Sequence, residues 1–84
     1  MLKSHRTILK TILKIIIMTY EEFREDVLNG IKAFQNNWRE GQKVFNYIDS
    51  KYRVARKVQF DYGVDCFYRD DLIDKFIETS YKLL

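Results

Sequence analysis

The sequence is short of several residue types, and each shortage narrows the range of folds and functions. It contains no proline and only three glycines, which favours helices over a turn-rich β fold. Its single cysteine, Cys66, excludes an internal disulfide framework and is typical of a reducing cytoplasm. With 84 residues the chain forms one domain at most, and a domain of this size buries only a small core.

Groups that perform catalysis are equally scarce. The one histidine, His5, lies near the N-terminus, so residues 18–84 lack an imidazole for a general base or a zinc site. Cys66 has no histidine partner and is expected to be a buried thiol. The sequence contains no glycine-rich phosphate loop, and its clustered aspartates match no EF-hand and are explained by helix capping. The sequence therefore predicts no catalytic residue, no cofactor and no metal site, and a protein that is not an enzyme.

Net positive charge is confined to the N-terminal end. The whole chain carries +3, but residues 1–17 carry +4 and residues 18–84 carry −1. The basic residues of the first segment recur at helical spacing opposite isoleucines and leucines, the pattern of a basic amphipathic helix. It is too short and too interrupted for a membrane span, and it lacks a secretory cleavage site. Three interpretations remain open for residues 1–17: a leader upstream of a native start at Met18, a helix packed on the domain, or an arm for membrane or nucleic acid.

Residues 18–84 have the pattern of a single helical domain. Thr19 and Glu22 form a capping box, and Met18 and Phe23 occupy the positions of a hydrophobic staple. These signals begin a first helix predicted over residues 19–36. From this start, apolar residues recur at steps of three and four in one stripe, which continues past the predicted end of the helix to Trp38: Tyr20, Phe23, Val27, Ile31, Phe34 and Trp38. We expect Trp38 to be buried against the second helix, and the glycine at position 30 to mark a close helix contact.

Two further helices complete the predicted bundle. The second is expected over residues 39–52, with Asn37 as its cap. The third is expected over residues 70–83, opened by Asp70. Between them a loose alternation of apolar residues would also suit a strand. Because the chain offers no convincing partner strand, a short helix or ordered loop is preferred. The sequence thus predicts an all-α protein, a small three-helix bundle.

Two surface features are candidates for binding. A basic stretch from Lys51 to Lys57 could hold phosphates, with a tyrosine stacking on a base. An acidic set around Asp70 gives the surface an opposite charge that can steer a partner. All thirteen aromatic residues follow Met18, more than so small a core needs, so some tyrosines should be exposed contact residues. The predicted binding residues are Lys51, Tyr52, Arg53, Arg56, Lys57, Tyr62, Tyr68, Asp70 and Asp71.

The segments GQKVFNYIDSKY and VARKVQFDYGVDCFYRDDLIDKF resemble small accessory proteins of bacteriophages and prophages. The resemblance covers about half of the chain and carries over no catalytic residue. The matching residues are Gly41, Gln42, Val44, Phe45, Asn46, Ala55, Arg56, Asp65, Cys66, Phe67, Tyr68 and Asp70.

This resemblance implies a bacterial host cytoplasm and a role against host defence. Small non-enzymatic proteins of that setting resemble anti-CRISPR proteins, which bind an effector nuclease or its guide RNA. We therefore expect an interaction protein that binds and inhibits a bacterial defence effector, either a protein or a ribonucleoprotein, without stable membrane insertion. The alternative is a small nucleic-acid-binding protein that contacts RNA through residues 51–57.

Overall fold

A computed structural model describes residues 18–34 and 37–84, and all regular elements in these two segments are helical. The α-helices are α1 (Tyr20–Gly30), α2 (Glu40–Tyr52), α3 (Ala55–Asp61) and α4 (Ile73–Lys82), with 3-10 turns at Ile31–Ala33 and Asp70–Leu72. The prediction of an all-α fold is confirmed. The predicted leader, residues 1–17, lies outside the described residues.

The second and third predicted helices correspond to α2 and to the Asp70 turn followed by α4. The segment between them contains the short helix α3 followed by a loop at residues 62–69. The first helix is shorter than predicted, because it tightens after Gly30 and the backbone is extended at Phe34. The last two residues of its predicted range, 35–36, lie outside the described residues.

The beginning of α1 is built as the sequence predicts. The Glu22 amide donates to the Thr19 hydroxyl at 3.2 Å, and the Thr19 amide donates to the Glu22 carboxylate at 3.1 Å. Met18 and Phe23, the residues of the predicted staple, are both buried. The Tyr81 hydroxyl donates to the Met18 carbonyl at 2.7 Å, so α4 also contacts the start of α1. The first helix thus combines a local cap with a tertiary contact.

The cap of α2 differs from the prediction. Arg39, not Asn37, precedes the first turn, and its amide donates to the Gln42 side chain at 3.1 Å. This bond is one half of a capping box, in which the N3 side chain reaches back to the N-cap amide. The Arg39 side chain is thereby free to reach a distant loop, described below.

The core consists of the inward stripes of all four helices together with the loop at residues 62–69. Its largest fully buried side chains are Phe23, Phe76, Ile48, Ile77, Val27, Val44, Val58 and Cys66. The prediction that Cys66 is buried is confirmed. None of the helices within residues 18–34 and 37–84 is sufficiently long and apolar to cross a membrane.

The prediction that Trp38 is buried is wrong. Its side chain is 38% exposed, and its ring is stacked on Phe34 with 5.5 Å between the centroids. The helix of the first apolar stripe ends at Ala33, and α2 begins only at Glu40. Trp38 therefore belongs to neither helix, and helical spacing does not govern where its side chain points.

Gly30 marks a close contact, as the sequence predicts. A Cβ atom at this position would lie 2.0 Å from the ring of Tyr47. The absence of a side chain therefore lets α2 pack directly on the end of α1. A second special position is Arg53, which ends α2 in the left-handed conformation at φ 63° while its amide donates to the Ile48 carbonyl at 3.0 Å. This residue turns the chain from α2 into α3.

Candidate functional site

Helix α3 separates the buried and exposed residues of the short segment that carries it. Ala55 and Val58 are fully buried, and their spacing of three places them on one helical face. Arg56, Lys57 and Phe60 are exposed on the remainder of the helix. Phe60 is 76% exposed, the largest exposure of any large hydrophobic side chain in the described part of the chain. The helix therefore presents one aromatic ring and two cations to solvent.

A shallow groove lies between α3 and the loop at residues 62–69. Its volume is about 280 Å³. We call it the aromatic groove, and it is lined by Phe45, Arg56, Gln59, Phe60, Phe67 and Tyr68. Tyr68, like Phe60, is largely exposed, at 66%. Isolated exposed apolar residues are ordinary, but an exposed aromatic cluster around a concave surface is typical of a binding site.

The aromatic rings of the groove form a chain that reaches from the core to the surface. Phe45 packs against buried Phe76 with 5.6 Å between centroids and edge-on against Phe67 at 5.4 Å. Phe67 in turn contacts Tyr68 edge-on at 5.0 Å. Edge-to-face pairs of this kind contribute about 0.5–1.5 kcal/mol each beyond burial of area. The exposed Tyr68 ring is consequently supported by the hydrophobic core.

The loop that carries Tyr68 is fastened to the start of α2. The Arg39 guanidinium donates to the carbonyls of Tyr68, at 3.0 Å, and of Phe67. The Gly41 amide donates to Asp70 at 3.0 Å, and the Cys66 thiol donates to the Gly41 carbonyl at 3.4 Å. These four bonds, which we call the loop clamp, hold one wall of the aromatic groove in place.

Gly41 makes this close approach possible. A Cβ atom at position 41 would lie 1.9 Å from the Cys66 carbonyl oxygen and 2.7 Å from the Asp70 carboxylate. Because the nearer obstacle is backbone, no change of rotamer can relieve it. Glycine is therefore required here for packing, although Gly41 has ordinary helical geometry.

One cation lines the groove on the α3 side. Arg56 lines the groove itself, and it forms a long ion pair with Asp49 at 4.0 Å. Within the described segments, no carboxylate lies within ion-pair distance of Arg53 or Lys57. These two cations, which lie within three positions of Arg56 in the sequence, are thus available to a negatively charged partner.

Two residues of the predicted basic patch have a different role. Tyr52 is 8% exposed, so it is too buried to stack on a base, and the prediction that it is a binding residue of this patch is wrong. Its hydroxyl donates to Asp26 of α1, as does the hydroxyl of Tyr47 at 2.9 Å. Lys51 forms an ion pair with the same carboxylate at 3.0 Å. Lys51 and Tyr52 thus join α2 to α1.

The electrostatics of this cluster follow from its geometry. Burial alone would raise the pKa of Asp26, but hydrogen bonds from Tyr52, Lys51 and Tyr47 outweigh it and hold that pKa below its usual value. Burial and the bond to Asp26 raise the pKa of Tyr52. Burial opposes the charge on Lys51, yet its contact with Asp26 raises the pKa of that ammonium group. Both charges are therefore retained at neutral pH.

The remaining predicted binding residues lie apart from the groove lining. Tyr62 is 52% exposed at the end of α3. Asp70 accepts the Gly41 amide in the loop clamp. Asp71 forms an ion pair with Arg69 at 2.7 Å, which lowers the pKa of the Asp71 carboxyl. The structure thus brings Arg56 and Tyr68 of the predicted set together at the groove. In the sequence, Lys57 follows Arg56 directly and Arg53 lies three positions before it.

The predicted set of binding residues lacks five residues of this region. Phe45, Gln59, Phe60 and Phe67 line the groove, and Arg39 fastens its wall. The exposure of Phe60 could be predicted from helical spacing in the sequence, because position 60 points away from the core in a helix that buries Ala55 and Val58. Arg39 and Phe67 form a hydrogen bond although they lie 28 positions apart in the chain, and no local sequence pattern predicts such a contact.

The thiol of Cys66 is chemically protected. Burial, followed by the nearby Asp65 carboxylate, raises the pKa of Cys66 to about 12. Among the residues that the structure describes, no group of three or more His, Cys, Asp or Glu side chains is arranged to hold a metal ion.

Comparison with protein-family models, curated proteins and solved structures finds no match for this chain.

Proposed function

We propose that this protein is a small, non-enzymatic binding protein whose contact surface is the aromatic groove. The observation that carries the proposal is the exposure of Phe60 (76%) and Tyr68 (66%) on a concave surface that also includes Arg56. Aromatic residues and arginine are the side chains most enriched among those that dominate protein interfaces. Covering the two rings with a partner would remove apolar surface from water, and the free energy gained by this burial would favour the complex over the isolated chain.

The resemblance to phage accessory proteins is our reason for proposing a particular kind of partner for this surface. All six groove-lining residues lie in the segments that resemble phage accessory proteins, and four of them are among the matching residues: Phe45, Arg56, Phe67 and Tyr68. Gly41 and Asp70 of the loop clamp belong to them as well. We therefore propose that the protein acts in the cytoplasm of a bacterial host, where it binds and inhibits a defence complex, with a CRISPR effector nuclease or its guide RNA as the specific candidate.

Affinity purification with matched variants tests this function. The tagged full chain is expressed in the bacterial host, and copurifying proteins and RNA are identified by mass spectrometry and sequencing. Phe60→Ala is compared with Leu28→Ala, since Leu28 is an exposed apolar residue on α1. Tyr68→Ala is compared with Tyr62→Ala, an exposed tyrosine outside the groove.

We expect a defence component to copurify with the unaltered chain and with both control variants, and to be lost from the two groove variants. The same variants should fail to inhibit that complex in a plasmid-interference assay. Recovery of no defence component would contradict the proposed partner. Equal recovery by groove and control variants would contradict the proposed surface.

Nucleic-acid binding is the second candidate function. It is favoured by the unpaired Arg53 and Lys57 beside Arg56 and by exposed rings on which bases could stack. It predicts binding to generic single-stranded RNA that weakens steeply with salt. Absence of a mobility shift at about 50 mM salt would remove this function.

A further inference from the structure

The aromatic groove combines apolar walls with one positively charged lining residue, Arg56, and two further cations, Arg53 and Lys57, lie within three positions of it in the sequence. We infer that it binds an acidic segment of a partner protein, in which one large apolar side chain enters the groove and neighbouring carboxylates meet Arg56, Arg53 and Lys57. The inference rests on the proposed function, because it specifies the chemistry of the partner at the same surface.

The size of the groove limits its occupant. About 280 Å³ is slightly less than the smallest typical ligand pockets, which begin at roughly 300 Å³. Such a space holds one side chain and not the face of a long helix. Phe45 and Phe67 provide apolar walls, and Phe60 and Tyr68 stand exposed beside them. An aromatic or branched aliphatic side chain matches these walls in both size and polarity.

The groove is prepared for such an occupant before binding. Arg39 fixes the carbonyls of Phe67 and Tyr68, and the Gly41–Asp70 bond anchors the next residues. On the opposite side, Val58 anchors α3 in the core. Little conformational entropy is then lost when a side chain enters, which favours binding by a single anchor.

Charge complementarity determines which residues of the partner can lie next to its anchor, the apolar side chain that enters the groove. Arg53, Arg56 and Lys57 lie within five positions, and the one carboxylate that pairs with them in the described part of the chain is Asp49, at 4.0 Å from Arg56. A segment with one or two carboxylates beside its anchor would satisfy these cations without a large desolvation cost at the rim.

A polyanion fits the surroundings less well than a short acidic segment. Residues 18–84 carry a net charge of −1, whereas a nucleic-acid-binding domain usually presents an extended basic face with several phosphate contacts. Asp61 at the end of α3 and Asp65 in the loop are both close in sequence to groove residues. A longer negatively charged chain would have to pass these carboxylates, which favours protein over RNA.

Nuclear magnetic resonance on the full chain tests the inference with defined probes. The ¹⁵N-labelled protein is titrated with a capped synthetic peptide in which one tryptophan is flanked by glutamates. Two control peptides replace the glutamates by lysines or the tryptophan by alanine, and a short oligouridine RNA is a fourth probe. Arg56→Glu is compared with Lys32→Glu, which changes the net charge equally on the turn after α1.

We expect the acidic tryptophan peptide to shift the amide signals of Gln59, Phe60, Phe67 and Tyr68. Each control peptide and Arg56→Glu should weaken binding about tenfold or more, whereas Lys32→Glu should change it less than about twofold. The Arg56 side chain is 76% exposed, so the substitution should leave the fold, monitored by circular dichroism, intact.

Three results would overturn the inference: no shifts at the groove, equal binding of the lysine peptide, or groove shifts by oligouridine at lower concentration than by the acidic peptide. The outcomes for function are separate. A defence partner whose capture is insensitive to Arg56→Glu would leave the proposed function standing and remove this inference. Peptide binding without any captured defence partner would support the groove chemistry and remove the proposed function.

Discussion

Replacing Gly41 by alanine should destabilise the protein, although alanine is favoured over glycine by about 1 kcal/mol inside most helices. The new Cβ atom would lie 1.9 Å from the Cys66 carbonyl oxygen, where ordinary contacts begin at 3.4 Å. Because this obstacle is backbone, the loop at residues 62–69 must retreat from α2. The retreat would break the Gly41–Asp70 and Cys66–Gly41 hydrogen bonds, which are 3.0 and 3.4 Å long.

The magnitude follows from these two bonds. A hydrogen bond to a carboxylate contributes about 1.5–3 kcal/mol, and a neutral one about 1 kcal/mol. After the helical preference of alanine, about 1 kcal/mol, is subtracted, the expected loss is about 1.5–3 kcal/mol. Since 1 kcal/mol corresponds to roughly 4–8 °C in a domain of 60–100 residues, the melting temperature should fall by roughly 6–24 °C.

Urea denaturation followed by far-ultraviolet circular dichroism measures this change. Ser50→Ala serves as the matched control, since Ser50 is an exposed position of the same helix, and it should stay within about 0.5 kcal/mol of the unaltered chain. The denaturant slope should remain constant, so that the midpoint reports stability alone. A Gly41→Ala variant that is as stable as, or more stable than, the unaltered chain would refute the close packing of the loop on α2.

Three further outcomes are expected. Asp26 has a lowered pKa in the folded state, so its ionised form stabilises the protein above about pH 4, and this contribution is lost as the pH falls through the folded pKa. Asp26→Asn should lower the free energy of unfolding at neutral pH by about 2 kcal/mol. It should also weaken the dependence of that free energy on pH on the acid side. Trp38→Ala should cost only about 1 kcal/mol in urea denaturation, because Trp38 is 38% exposed and packs mainly on Phe34, and a loss above about 3 kcal/mol would show that the ring is buried. Cys66, with its pKa raised to about 12 and no exposed surface, should react with a thiol reagent at least roughly a hundredfold more slowly in the native state than in urea, and equal rates would contradict its burial.

The helices that sequence patterns predict best are those with local signals. The Thr19–Glu22 box lies within four residues, and the structure contains it with both bonds formed. Gly30 was predicted to mark a close contact because a glycine inside a helix needs a reason, and the ring of Tyr47 supplies it. In both places the physical cause is contained in a few neighbouring residues, or in the cost of one residue type.

Contacts between distant residues could not be predicted in the same way. Lys51 belongs to a basic stretch in the sequence, yet it pairs with Asp26, which is 25 positions away. Arg39 similarly reaches the carbonyl of Tyr68 across 29 positions. Both pairings depend on how the helices pack, which periodicity does not specify. For the same reason the sequence predicts one basic patch at residues 51–57, whereas in the structure Lys51 and Tyr52 join α2 to α1 and Arg56 lines the groove.

The exposure of Phe60 and Tyr68 has a cost that a single small domain would ordinarily avoid, since exposed aromatic clusters promote association. The surrounding structure limits this cost, because Arg56 adds charge beside the rings and the groove is small. At the same time, hydrogen bonds from Arg39 to Tyr68 and from Gly41 to Asp70 hold the loop that carries Tyr68 in place. A loop with no binding role could instead turn its tyrosine inward or lack it. The combination of a fastened wall and exposed rings therefore supports the proposal that a partner covers the groove.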